Sequence, residues 1–230
     1  MQDARGLIKR ELKKDDWLII IANLIPVFGV WFLGWNAIEA FTVYALETLI
    51  VGILTVLKLL IATLYKRKDT WYSNERTTQQ GGIFFILFFI AHFGIFAAVQ
   101  TTIFSQVAGI TPPNSGPMHF FFHFWEYINE DIAWMLGGFV ISYLARDLFP
   151  FILRGDYKTV SMMRLMCQPY GRVLIQHFTV ILGSMFLSFG LGKIFILVFA
   201  LAKIAFEIFA DFNRLLDKSL ENMDNTSGKK

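Results

Sequence analysis

Ionisable side chains inside long apolar stretches are the residues of this sequence best placed to do chemistry. They are Glu47, His92, His177 and Lys203, each in a different apolar stretch. Ionisable groups inside a bilayer are costly and are tolerated mainly where they face protein or a wet cavity. Counting inward at about 1.5 Å per residue predicts that Glu47, His92 and Lys203 lie near mid-depth. His177 is expected somewhat nearer the cytoplasm, so the four side chains are predicted to converge on one layer.

The second and the last apolar stretches carry aligned charges. Lys203, Glu207 and Asp211 follow one another at intervals of four residues, so on a helix they share one face. Glu47 and Lys58 are eleven residues apart and lie on nearly the same face of the second stretch. Charged faces of this kind avoid lipid, so the two helices are expected to face each other.

This group of residues supports functional and structural interpretations. Two imidazoles and a carboxylate could ligate a divalent transition metal ion with an open position, or they could pass protons, since histidine titrates near neutral pH. In the structural interpretation Glu47 pairs with Lys203 at matched depth. Lys58 pairs with Glu207 in the same way, and each histidine hydrogen-bonds a neighbouring helix. The candidate metal ligands are His92, His177 and Glu47, and the candidate substrate- or proton-binding residues are Glu47, His92, His177, Lys203 and Glu207.

A second polar group follows the only sizeable predicted outer loop. His119, His123, Glu126 and Glu130 are spaced by 4, 3 and 4 residues, so on a helix they form one narrow stripe, with Phe and Trp residues covering the rest. The pattern predicts a helix over 119–130 that lies in the membrane interface with its Phe face in lipid. In the alternative, the two histidines at i and i+4 share a metal ion.

Arg146 and Asp147 are adjacent near the end of the fourth apolar stretch. They could form a pathway gate. Because sequence neighbours on a helix face different directions, separate partners are the expected arrangement.

The composition predicts that these residues lie in a membrane-embedded bundle. Of 230 residues, 55% are hydrophobic and 17% are charged, and the mean hydropathy is +0.52. That excess excludes an ordinary soluble domain, and a single cysteine, Cys167, excludes a disulfide scaffold. We predict an all-α polytopic integral membrane helical bundle of six transmembrane helices plus the interfacial helix. The predicted spans are residues 17–35, 37–65, 81–104, 132–153, 170–189 and 193–216.

The Lys and Arg residues predict the orientation of these spans. Both tails and the even-numbered turns carry them, whereas the opposite side carries only Lys193. The positive-inside rule then predicts a multi-pass protein of the bacterial inner membrane with cytoplasmic N and C termini. The predicted organisation is a basic cytoplasmic tail (1–16), a transmembrane domain (17–216) that includes the outer loop and interfacial helix (105–131), and a polar cytoplasmic tail (217–230).

Other partners are constrained by patterns that do not occur. No basic patch with interleaved aromatic residues indicates nucleic acid. Neither half of the chain repeats the charges or the Gly and Pro positions of the other, so a transporter-type inverted repeat is unsupported. The expected partners are the lipid bilayer and a small molecule or ion, and an oligomer is compatible with the sequence.

The stretches GWNAIEAFTVYALETLIVGILTVLKLL, AHFGIF and GRVLIQHFTVILG, with the segment 203–211, resemble an uncharacterised bacterial family of small polytopic membrane proteins. That family carries a domain-of-unknown-function label and a glutamate in its second span. The resemblance implies no activity. It implies a second histidine about eight residues after the first, where this chain has Gln100, and this difference weakens a fully histidine-based metal site. The matching positions are Glu47, Lys58, His92, Arg172, His177, Lys203 and Asp211.

Three functions fit these patterns. The leading hypothesis is a proton- or ion-coupled protein that handles a small molecule through Glu47, His92, His177 and Lys203. The alternative is a membrane-embedded metal-dependent enzyme acting on a lipid-like substrate, with Lys203 or Glu207 as its acid or base. A third hypothesis is a structural partner subunit of a membrane complex, whose polar residues hold its helices together.

Overall fold

The computed structural model describes residues 16–72, 77–171, 173–175, 182–183, 185–186, 189–209 and 216–220. These residues are mostly helical, and two short strands form a hairpin. The predicted all-α class is confirmed. The described helices are α1 (Asp16–Phe28), α2 (Ala37–Lys66), α3 (Gly82–Val107), α4 (His119–Phe122), α5 (Glu130–Tyr143), α6 (Phe149–Leu153), α7 (Met162–Cys167) and α8 (Gly192–Phe209). Shorter turns are the π-helical Gly29–Leu33 and Leu144–Leu148 and the 3₁₀-helical Phe124–Tyr127 and Asp156–Lys158.

Among the described residues, four helical segments are long and apolar enough to cross a membrane. They match the first four predicted spans, with small shifts at their ends. The helix α8 is 18 residues long and carries Lys193, Lys203 and Glu207 within that length. The fifth predicted span, 170–189, lies largely outside the described residues. The four segments are Asp16–Leu33, Ala37–Lys66, Gly82–Val107 and Glu130–Leu153.

The start of α2 is defined by a capping box. The Asn36 side chain accepts a hydrogen bond from Ile38 N at 2.9 Å, and Asn36 N donates to Glu39 Oε2 at 3.2 Å. These bonds satisfy backbone and side-chain groups at the helix start. Glu39 Oε1 also accepts from Asn129 Nδ2 at 2.6 Å, and Asn129 caps α5 through a bond from Ile132 N. The starts of α2 and α5 are therefore held together.

A β-hairpin, which the sequence analysis did not predict, joins α2 to α3. Strand β1 (Lys68–Tyr72) pairs antiparallel with β2 (Thr77–Gly81). The Trp71 ring lies 5.0 Å from the rings of Phe84 and Phe88, so the hairpin packs on the first turns of α3. Hydropathy windows detect long apolar spans and treat a short polar strand as a turn, which is why the pattern missed the hairpin.

The central helix is α2, which contacts α3, α5, α7 and α8. A close approach to α3 occurs at Gly52, where an added Cβ would lie 2.7 Å from Cε1 of Phe93. The helix α1 packs against α5 and α8. The polar residues of interest on α2 therefore face other helices.

Polar contacts lie at both ends of the helix bundle. We call the end that contains residues 67–82 the hairpin end. The opposite end contains the capped starts of α2 and α5, and there Trp31 Nε1 donates to the Lys193 carbonyl oxygen at 3.3 Å. The contacts toward the hairpin end are Lys58 to Asp147 at 2.8 Å, Arg146 to Asp16 at 3.4 Å, Lys66 Nζ to the Val160 carbonyl oxygen at 2.8 Å, Met162 N to Asp69 at 2.7 Å and Arg164 to Asp217 at 2.6 Å.

Candidate functional site

A buried ion pair joins α2 to α8. The Nζ atom of Lys203 donates to Glu47 Oε2, and the hydroxyl of Tyr143 on α5 donates to Glu47 Oε1. Glu47 is fully buried and Lys203 is 2% exposed. This contact confirms the expected pairing of Glu47 with Lys203. Opposite charges at matched depth pair because neither charge is tolerated alone in lipid. Sequence reasoning missed Tyr143, whose hydroxyl within an apolar span was the available signal.

Lys203 has a second carboxylate and two aromatic rings as neighbours. Glu207 Oε1 lies 3.7 Å from Lys203 Nζ, one turn along α8. The Nζ atom is also 4.6 Å from the centre of the Phe139 ring and 5.2 Å from that of Tyr44. Desolvated cation–π contacts of this kind stabilise an ammonium ion. We call Glu47, Lys203, Glu207 and Tyr143 the central cluster.

The predicted pairing of Lys58 with Glu207 is wrong. Lys58 Nζ instead contacts both carboxylate oxygens of Asp147, at 2.9 and 2.8 Å. The reason is axial distance: Lys58 lies about 16 Å along α2 from Glu47, whereas Glu207 lies about 6 Å along α8 from Lys203. Glu207 therefore stays at the level of Glu47 and does not reach Lys58.

Arg146 and Asp147 have separate partners, as expected for sequence neighbours. Arg146 Nη2 lies 3.4 Å from Asp16 Oδ1, and Asp147 binds Lys58. Asp16 is 1% exposed and begins α1, although the predicted basic tail (1–16) includes it. The two pairs attach the π-helical turn Leu144–Leu148 to two different helices.

His92 is placed away from the central cluster. It is exposed, and its Nδ1 atom lies 2.6 Å from the Tyr170 hydroxyl oxygen. Thr48, the neighbour of Glu47, hydrogen-bonds to Gln100 on α3. His92 is eight residues from Gln100, which is about 12 Å along the helix. The prediction that His92 and Glu47 converge on one layer is therefore wrong. Counting residues from the ends of the spans could not give the axial offset between α2 and α3.

Several candidate positions lie outside the described residues. His177 is one of them, and so are Arg172 and Asp211. The metal site predicted from Glu47, His92 and His177 together therefore stays a prediction.

The segment predicted as one interfacial helix over 119–130 is broken instead. The helix α4 ends at Phe122, and a 3₁₀ turn covers Phe124–Tyr127. Glu130 begins α5, because Asn129 caps that helix. The Phe face is divided as well: Phe120 is fully buried, whereas Phe122 is 58% exposed. Of the predicted stripe, His119, His123 and Glu126 come together without Glu130.

An open groove of about 480 Å³ lies between α2 and α3 beneath this segment. Every residue lining it is apolar, including Gly52, Phe89 and Phe93 from the helices and Phe121 and Phe124 from the segment. Apolar walls without a directing polar group bind by burial alone. The groove therefore offers no group for catalysis.

Cys167, on α7, is half-buried. Burial raises the pKa of its thiol, so the thiol stays protonated at neutral pH. A thiolate nucleophile is not supported at this position.

Comparison with known protein families gave a match that covers nearly the whole chain. Residues 7–226 match the model of a family of unknown function, DUF6498. The chain belongs to this family, and the expected resemblance to an uncharacterised family is confirmed. Comparison with curated proteins and with solved structures gave no match.

Proposed function

We propose that this member of DUF6498 is a six-span protein of the bacterial inner membrane, with cytoplasmic termini, that handles protons or a small cation through the central cluster. The family and the four apolar segments support a multi-span membrane protein. The proposal needs no metal ion, because it rests on Lys203 lying between two carboxylates.

The grouping of helix ends supports the proposed topology. Each successive described span starts at the end of the bundle where the preceding one finishes, and the basic residues collect at the hairpin end. Cytoplasmic loops of inner-membrane proteins carry an excess of Lys and Arg. At the opposite end the described basic residue is Lys193, in the first turn of α8. The described basic residues at the hairpin end are Lys66, Arg67, Lys68, Arg154, Lys158, Arg164 and Lys218.

The single observation that carries the functional part is that one buried ammonium contacts two buried carboxylates. Lys203 binds Glu47 and lies 3.7 Å from Glu207, whose side chain is 5% exposed. In a low-dielectric interior each carboxylate depends on this ammonium for its charge balance. A proton that neutralises Glu47 weakens its hold on Lys203, which then turns toward Glu207. The cluster can thus exchange a proton for a movement of one side chain.

Tyr143 extends this exchange to a third helix. Its hydroxyl donates to the carboxylate oxygen of Glu47 that does not bind Lys203. When the proton binds Glu47 at Oε1, it adds a donor where Tyr143 already donates, and the hydroxyl turns to another acceptor. A change of charge on α2 is thereby transmitted to α5 and α8.

The structural-subunit hypothesis uses the same contacts for helix packing. The pairs Lys58–Asp147 and Arg146–Asp16 favour it, because they join helices near the hairpin end. The metalloenzyme hypothesis with Glu47 and His92 as ligands gains no support from the described residues, where His92 is exposed and bonded to Tyr170.

Infrared difference spectroscopy of the protein in lipid vesicles tests proton handling. A pH titration is expected to show a protonated-carboxyl band that is lost in Glu47→Gln or Glu207→Gln. Glu39→Gln, which changes a half-buried carboxylate at the opposite end, is the matched control and should keep the band. A titration without any such band, in a folded protein, would leave the structural role as the better account.

A further inference from the structure

Three side chains of the broken segment after the outer loop form a compact group. His119 and His123 are stacked, with ring centres 4.4 Å apart and planes at 15°. His119 Nε2 lies 3.8 Å from Glu126 Oε2. One ligand atom from each of His119, His123 and Glu126 lies within 4.8 Å of the other two. The bend at His123 and the following 3₁₀ turn bring these three side chains together.

Both imidazoles are held through their Nδ1 atoms. His123 Nδ1 lies 3.3 Å from the His119 carbonyl oxygen, which can only accept, so this nitrogen carries a proton. His119 Nδ1 lies 3.0 Å from the Tyr127 hydroxyl oxygen. When His119 Nδ1 donates to that oxygen, the Nε2 atoms of both rings keep their lone pairs. Metal-binding histidines characteristically donate their second nitrogen to a carbonyl or a similar acceptor.

We propose that His119 Nε2, His123 Nε2 and the Glu126 carboxylate bind a divalent transition metal ion, with Zn²⁺ the best fit. Two histidines and one carboxylate form a familiar zinc ligand set that leaves a position open for water or a substrate group. The site does not depend on the function proposed for the central cluster. It also differs from the set of Glu47, His92 and His177 expected from the sequence.

The distances permit closure of the site by small movements. Zinc ligands lie about 2.0–2.2 Å from the metal, so they approach one another to within roughly 3.5 Å. The 3.8 Å separation of His119 and Glu126 is already close to that value. The Glu126 side chain is 49% exposed, so its carboxylate can rotate toward both imidazoles.

The alternative account, a solvated polar face, explains these contacts less well. A solvated stripe on an interfacial helix requires a continuous helix, and this segment is broken at His123. The side chain of His119 is only 20% exposed, and its neighbour is a second imidazole.

The hydroxyl of Tyr127 acts as the positioning group for His119, because its oxygen lies 3.0 Å from His119 Nδ1. A neutral hydroxyl oxygen can accept from His119 Nδ1 and still donate elsewhere. Tyr127→Phe removes the acceptor and keeps the ring, so it alters ligand orientation without removing a ligand.

The test uses full-length protein in lipid nanodiscs, freed of metal with a chelator and titrated with Zn²⁺ and with Co²⁺. We expect one bound ion per chain, with the visible absorption of Co²⁺ reporting tetrahedral geometry. His119→Ala, His123→Ala and Glu126→Gln are expected to abolish stoichiometric binding. Tyr127→Phe should weaken the affinity by about 10- to 100-fold.

Two variants serve as matched controls. Glu130→Gln changes the fourth residue of the predicted stripe, which lies outside the group, and should bind metal like the wild type. His92→Ala tests the other predicted ligand set and should also bind normally. Thermal unfolding of every variant separates loss of binding from loss of fold. The proposal is overturned if the folded wild type binds no stoichiometric metal, or if His92→Ala loses the metal while Glu126→Gln keeps it.

Discussion

Lys58 on α2 binds Asp147 in a bidentate manner, with its Nζ atom 2.9 Å from Oδ1 and 2.8 Å from Oδ2. The Lys58 side chain is 4% exposed and that of Asp147 is 36% exposed, so the pair lies at the edge of the core. This contact satisfies the lysine near the hairpin end of the bundle. Because Lys58 binds Asp147, Lys203 is the described lysine that contacts Glu47 and Glu207.

The Lys58 contact predicts a specific energetic coupling. In double-mutant cycles, Lys58→Met and Asp147→Asn should be coupled by about 0.5–3 kcal/mol in the free energy of unfolding, because they share one interaction. Lys58→Met and Glu207→Gln should be additive. Unfolding in mixed detergent and SDS micelles measures both cycles. Coupling to Glu207 with additivity at Asp147 would contradict the observed pairing.

The Glu47–Lys203 pair predicts that a single change is worse than a double one. Lys203→Met should lower the free energy of unfolding by about 3–5 kcal/mol, since it leaves a buried carboxylate without its counter-ion. Glu47→Gln/Lys203→Met removes both charges and should be less destabilised. The same unfolding assay compares the variants, with Lys193→Met, at the opposite end of α8, as the control. A double variant as unstable as the sum of the single ones would argue against direct pairing.

The close approach of α2 and α3 predicts different results for two glycines. Gly52→Ala places a Cβ 2.7 Å from Cε1 of Phe93, so it should destabilise the protein by about 1–3 kcal/mol through overpacking. Gly94→Ala meets nothing within 4 Å and should be neutral or stabilising by about 0.4–1 kcal/mol. Thermal unfolding in detergent measures both. Equal effects of the two substitutions would show that the helices are not packed at Gly52.

The proposed topology predicts the side of the membrane for each loop. Reporter fusions after Lys68, after Arg164 and at Lys230 should report the cytoplasm, because the Lys and Arg residues collect in those loops and tails. A fusion near Asn114 should report the outside. Paired reporters, one active in the cytoplasm and one active outside it, serve as mutual controls. A cytoplasmic signal at Asn114 would exclude the six-span arrangement.

The positions of the long apolar helices could be predicted from the sequence because they depend on local properties. The stretch 37–65 corresponds to α2 (Ala37–Lys66) almost residue for residue, since an apolar span has a minimum length in a bilayer. The pairing of Glu47 with Lys203 could also be predicted, because a charge at mid-depth requires an opposite charge at the same depth. For Lys58 the same argument chose the wrong carboxylate.

The sequence alone determined the helical class and the first four apolar spans, because hydropathy adds up along a single chain segment, and it offered the pairing of Glu47 with Lys203 as one interpretation. The tertiary structure decided that Lys58 binds Asp147, that His92 faces away from Glu47, and that His119, His123 and Glu126 meet without Glu130. Each of these outcomes depends on the axial offset and rotation of one helix against another, or on where a cap ends one helix and starts the next. Those quantities arise from packing between side chains far apart in the chain, such as Phe93 against Gly52, and no local pattern contains them.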